Sequence, residues 1–138
     1  MSRLTATTMK EVIEKILSSH KLLERFKEKN DFHVKIASEP YMPLTIEKHG
    51  RQIIVAHNYI QNGDLIPDPD MEFWVEKDGT WSPVAIQFAT GHYRQCMDGV
   101  IVNERERQEQ VSFSNMWARN LKQQSFGDGQ VIQVSDED

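Results

Sequence analysis

The sequence predicts an α+β domain in two layers: an N-terminal helix, an antiparallel meander of about five to six strands, and a C-terminal helix. Three observations predict it. Apolar residues recur at three- and four-residue spacing from Met9 through Val12, Ile13, Ile16 and Leu17 to Leu23 and Phe26, the repeat of one buried helix face. At Phe32, Val34 and Ile36 the period falls to two, as in a strand with one wet face. A helical stripe returns at Phe113, Met116, Trp117 and Leu121.

Each element follows in order. Thr8 and Glu11 have capping-box spacing, so a helix is expected from about residue 9 to about 29, with Ser18, Ser19 and His20 able to interrupt it. Strands follow at Phe32 to Ala37 and, after the Pro40 and Pro43 bracket, at Leu44 to Lys48. Gln52 to Ile60 is apolar on both parities and reads as a central strand. Asn62-Gly63 is a hairpin signal, because both positions of a type I′ turn need positive φ. Pro67 and Pro69 share one parity, so both missing donors face one edge and the hairpin projects past the sheet as a lip, with Met71, Phe73 and Val75 re-entering the core. Trp81 to Phe88 and a broken His92 to Val102 complete the meander. Asn103 caps the second helix, whose polar opening, Glu104 to Gln110, reads as solvated, and Gly127 suits its C-terminal stop. Residues 1–127 thus form one domain, and 128–138, ending Ser-Asp-Glu-Asp, a flexible acidic tail.

Charge and composition narrow the function. The 138 residues carry 16 Lys and Arg against 21 Asp and Glu, a net charge of -5, and the acidic excess lies after residue 50. Duplex nucleic acid, which demands a concentrated cationic face, is a poor partner for such a chain. The lone Cys96 forms no internal disulfide and suits a reducing cytoplasm. The longest apolar run, Ile53 to Ala56, falls far short of the ~20 residues that span a bilayer, and Met1 to Thr8 lacks the apolar core of a secretory leader.

The chemistry-bearing residues concentrate around the central hairpin: His57, Tyr59, Gln61, Asn62, Asp64, Asp68 and Glu72. If Asn62-Gly63 is the two-residue turn, Gln61 pairs with Asp64 and His57 falls opposite Asp68. An imidazole facing a carboxylate begins either a metal site or a base-orienter pair. The same residues also serve as turn formers and a solvated lip, and a histidine on an apolar strand face is more often core than ligand. Known templates fail: Phe73 stands where a calcium loop needs glycine, and Glu76-Lys77 lacks the spacing of a nuclease triplet. No phosphate loop, nucleophile elbow or zinc-protease motif is present. Tyr41, Trp74, Trp81, Tyr93 and Trp117 are candidates for a stacking groove, but no basic residue interleaves between Gln52 and Lys77, and core packing accounts for them better.

At Tyr41-Met42-Pro43-Leu44-x-Ile46-Glu47, Val55-Ala56-His57-x-Tyr59-x-Gln61-Asn62-Gly63-Asp64-Leu65, Asp68-Pro69-x-Met71-x-Phe73 and Trp117-x-x-Asn120-Leu121-x-x-Gln124-x-Phe126, the chain resembles a family of domains of unknown function encoded by phages, plasmids and other mobile elements. The resemblance implies a small accessory protein and transfers no catalytic residue or cofactor. The chain departs from that pattern at Asp70, where the pattern has Glu, and at Ser125, where it has Gly.

The leading expectation is a non-catalytic interaction module that binds a host or mobile-element protein through its acidic surface, with Tyr41 and the hairpin residues from His57 to Glu72 as its binding set. A metal-assisted hydrolase built on His57, Asp64, Asp68 and Glu72 is the first alternative. A homo-oligomeric structural protein is the second.

Overall fold

The computed structural model describes residues 5–138. Met1 to Leu4, part of the segment considered above for a leader, lie outside the described residues. The chain runs α1 (Thr7–Ser19), α2 (Leu23–Glu28), β1 (Asp31–Ala37), β2 (Leu44–His49), β3 (Gln52–Gln61), β4 (Asp64–Val75), β5 (Trp81–Gln87), β6 (Tyr93–Gln95), β7 (Met97–Asp98), β8 (Ile101–Val102), α3 (Glu104–Gln123) and β9 (Gln130–Glu137). The α+β class stands, with more strands than the sequence predicts. Seven form one antiparallel sheet in the order β6-β5-β4-β3-β2-β1-β9, and β7 and β8 form a separate hairpin. Among the described residues no helix is long and apolar enough to cross a membrane.

The first helix is two. Lys21 adopts a left-handed conformation (φ 60), Leu22 N–H bonds to Leu17 O and Lys21 N–H to Ser18 O. That pair of bonds is a Schellman stop, with Leu22 buried as its apolar companion. The Thr8–Glu11 capping box does not form. The N-cap is Ala6, without a side-chain cap; its N–H instead bonds to Trp81 O at 2.8 Å, and its methyl is fully buried. Anchoring to β5 starts the helix earlier than the box would.

Helix α3 begins as expected, with Asn103 Oδ1 accepting from Glu106 N–H at 3.0 Å. Its polar opening is solvated only in part, with Glu104, Arg105, Gln108 and Glu109 exposed. Arg107 and Gln110 are buried; the Arg107 guanidinium donates to Ser82 Oγ and Gln110 Nε2 donates to Arg94 O. Buried polar groups persist where they find partners, and the broken β5–β6 edge supplies them. At the far end the left-handed residue is Ser125 (φ 62), not Gly127.

The flexible acidic tail is the clearest correction. Gln130–Glu137 folds back as β9 and pairs antiparallel with β1. Val131 and Val134 pack against the core, while Asp136 and Asp138 meet Arg25 and Lys29, each at 2.7 Å. Two of the acidic residues that read as a solvated run thus form ion pairs across to Arg25 and Lys29, Asp138 while still 86% exposed. Gly129 makes the return possible, because a Cβ there would sit 2.3 Å from Ala37 O.

Replacing Gly129 with Ala is expected to lower stability by about 2–3 kcal/mol, as overpacking does, and to raise amide exchange along β9 in hydrogen–deuterium experiments. Ser125→Gly is expected to add ~0.5–1 kcal/mol in urea unfolding, because glycine occupies left-handed space without a Cβ clash.

Candidate functional site

Side chains alternate across a strand, so the sheet sorts the hairpin residues by parity. Leu44, Ile46, Val55, His57, Met71 and Phe73 turn towards the helices and are buried. Thr45, Glu47, Ile54, Ala56, Asp70 and Glu72 lie on the opposite face, which carries no helix.

The predicted hairpin forms. Asn62 and Gly63 both have positive φ, and Gln61 pairs with Asp64. The register then slips: Asn58 stands opposite Pro67, but Ala56 stands opposite Asp70. His57 therefore faces a bulged Asp68–Pro69 pair, not Asp68 in register. Its ring packs into the core, with centroids 5.5 Å from Trp117 and 5.7 Å from Phe126, and its Nδ1 donates to Pro43 O at 3.2 Å. Burial holds this imidazole below its ordinary pKa, against the raising effect of that bond. His57 is a neutral core residue bonded to the β1–β2 connection.

The remaining predicted residues separate. Tyr59, Gln61, Asn62 and Asp64 ride on the arm beyond Asp70, the last β4 residue that pairs with β5. Asp68 accepts from Ala89 N–H, and Tyr41 is exposed in the β1–β2 connection. Glu72 lies on the open face, hydrogen-bonded by Gln52 Nε2. Asp68 lies close enough to His57 for its charge to raise that imidazole's pKa, but among the described residues no three His, Cys, Asp or Glu side chains converge to hold a metal ion. Cys96 is a structural thiol, buried and pushed up to about 11 by desolvation.

The arrangement with chemical potential is the open face itself. Glu47, Asp70 and Glu72 share it, and burial followed by the Glu47 and Glu72 charges pushes Asp70 up to about 6. Glu47 is near His33 (3.6 Å) and His49 (3.7 Å). Among the described residues none of the three carboxylates has a lysine or arginine partner. Trp74 (42% exposed) and Tyr93 (57%) flank them, and the phenol is raised by burial and then by Glu72 and Asp70. A groove of about 780 Å³ runs from Gln52, Glu72 and Trp74 to the β7–β8 hairpin, whose tip presents Val100 and Ile101, 95% and 71% exposed.

Sequence reasoning assigned Glu72 but missed Glu47, Asp70, Trp74 and Tyr93 as a group. The signal was present: once Met71, Phe73 and Val75 are core residues, parity alone puts Asp70, Glu72 and Trp74 together outside. Of the five aromatics weighed above, Trp81 and Trp117 are core, whereas Tyr41, Trp74 and Tyr93 are exposed.

The family model for the Domain of unknown function (DUF6908) matches residues 11–127, and the chain belongs to that family. The match ends before β9 begins. Comparison with curated proteins and with solved structures finds no match.

Asp70 sets a pH dependence. Unfolded, it titrates near 3.8; folded, at about 6, so between those values the folded state holds a proton the unfolded chain has released. The resulting stabilisation is complete below about 3.8 and lost as pH rises through about 6. Asp70→Asn is therefore expected to be more stable than the parent at pH 7.5, by about 1–2 kcal/mol after solvent screening, with the difference vanishing near pH 4 in thermal melts.

Proposed function

We propose that the protein is a non-catalytic binding module, an accessory protein of a phage or other mobile element, that holds a lysine- or arginine-bearing segment of another protein on its open sheet face. One observation carries this reading: the carboxylates of Glu47, Asp70 and Glu72 share one face, none of them forms an ion pair with a lysine or arginine among the described residues, and burial together with the Glu47 and Glu72 charges raises the Asp70 pKa. A cationic side chain entering there removes that mutual repulsion. The exposed rings of Trp74 and Tyr93 add faces for a cation at about 0.5–2 kcal/mol each, and the apolar β7–β8 tip adds contact area. The origin is supported by the motif resemblance alone.

Complementary charge accelerates encounter and selects partners, which matches a chain of net charge -5. The reading is preferred to the hydrolase alternative because, among the described residues, no three His, Cys, Asp or Glu side chains converge on one point.

The test is fluorescence anisotropy with a labelled oligolysine peptide and an oligoglutamate control at low salt. The parent protein is expected to bind only the cationic peptide. Asp70→Asn/Glu72→Gln is expected to weaken binding by about tenfold, the equivalent of ~1.4 kcal/mol, and the parent's own affinity is expected to fall below pH 5.5 as Asp70 takes up its proton. Equal affinity of parent and double variant sinks the proposal.

A further inference from the structure

The end of the sheet remote from the Asn62-Gly63 arm has the opposite electrical character. There the C-terminus of α2, the β2–β3 turn and the β4–β5 turn meet around a cleft of about 520 Å³. Five of the chain's 16 lysines and arginines line it: Lys10, Lys27, Lys29, Lys48 and Arg51. Only two carboxylates, Glu14 and Glu28, line it with them.

Backbone oxygen, which carries no net charge, positions two of these cations. Lys48 Nζ donates to Phe26 O at 2.7 Å and to Lys27 O at 3.1 Å, which closes the exposed carbonyls of α2. Arg51 donates to Val75 O at 2.9 Å and to Glu76 O at 3.3 Å. Both side chains are thereby fixed in direction, and among the described residues neither forms an ion pair. Burial lowers the Lys48 pKa, as expected of an ammonium short of anionic company.

The neighbouring acids are engaged elsewhere or replaceable. Asp78 beside Lys10 is held below the usual carboxylate range chiefly by hydrogen bonds from Thr80. Asp138, which meets Lys29, is 86% exposed, so an incoming anion competes with it at little cost. Gly79 has a positive φ, and the nearest atom to a Cβ built there is Lys10 Nζ, at 3.7 Å; the turn brings its backbone close to that amine.

We propose that this cleft binds a phosphorylated small molecule. Its charge suits a phosphate, which offers several acceptor oxygens to ammonium and guanidinium donors. Its volume exceeds a phosphate alone and falls in the range of small-ligand sites, about 300–1,000 Å³, with Phe26, Ile53 and Trp81 beneath. The cleft adjoins the open-face groove at the β2–β3 and β4–β5 turns but shares no lining residue with it, and the proposal does not depend on the role proposed for that groove.

The experiment is a ¹⁵N-detected NMR titration of the full chain with AMP, adenosine and inorganic phosphate at low salt. AMP is expected to shift amides of Phe26 to Asn30, Lys48 to Arg51 and Gly79, to bind more tightly than phosphate, and to outcompete adenosine completely. Lys10→Gln/Lys27→Gln, neither of which is a buried position, is expected to weaken AMP at least about tenfold, with an unchanged melting temperature confirming the fold. Equal affinity for AMP in parent and variant overturns the proposal. So do shifts confined to the open face, phosphate binding as tightly as AMP, or no saturable shifts.

Discussion

Helices α1 and α3 cover one face of a seven-stranded sheet, and the alternation of side chains across that sheet passes the consequence to every strand. With Val55, Met71 and Phe73 committed to the core, Asp70, Glu72 and Trp74 have no other place than the open face. A one-residue slip would exchange the two sets. The chain contains such a slip, at the Ala56–Asn58 bulge, beyond which the arm from Asp64 to Pro67 pairs one residue out of step with the segment from Asp70 to Trp74. His57, on the core side of the bulge, is held by Trp117 and Phe126 and keeps the register from moving further.

The net charge of the chain conceals a division. Carboxylates accumulate on the open face, where burial and then its acidic neighbours raise Asp70, while lysines and Arg51 gather at the sheet's end. Strand parity places the acids, and it also turns Lys48 away from its β2 neighbour Glu47, while α1, the C-terminus of α2 and the turns bring Lys10, Lys27, Lys29 and Arg51 to the same end.

Polar residues close the structure where apolar ones run out. Arg107 and Gln110 fill the notch left by short β6, and the Arg25–Asp136 and Lys29–Asp138 pairs fasten β9 beside β1. Exposed ion pairs contribute at most about 1 kcal/mol each. The hold on β9 therefore rests mainly on its backbone ladder and on Val131 and Val134, with Gly129 permitting the close return.

What was legible from the chain alone depended on neighbours in sequence. The helical stripes, the Asn103 cap, the type I′ turn at Asn62-Gly63 and the Gln61–Asp64 pair are short-range physics, readable from spacing and backbone preference. The same reading recognised His57 as more core-like than ligand-like. Contacts between distant segments decided the rest: β9 beside β1, the buried guanidinium of Arg107, the helix start set by Ala6 on Trp81, the bulge opposite His57, and the meeting of Glu47 with Asp70 and Glu72. None of these has a local signature, because whether a polar side chain is solvated or satisfied depends on what a remote part of the chain places beside it.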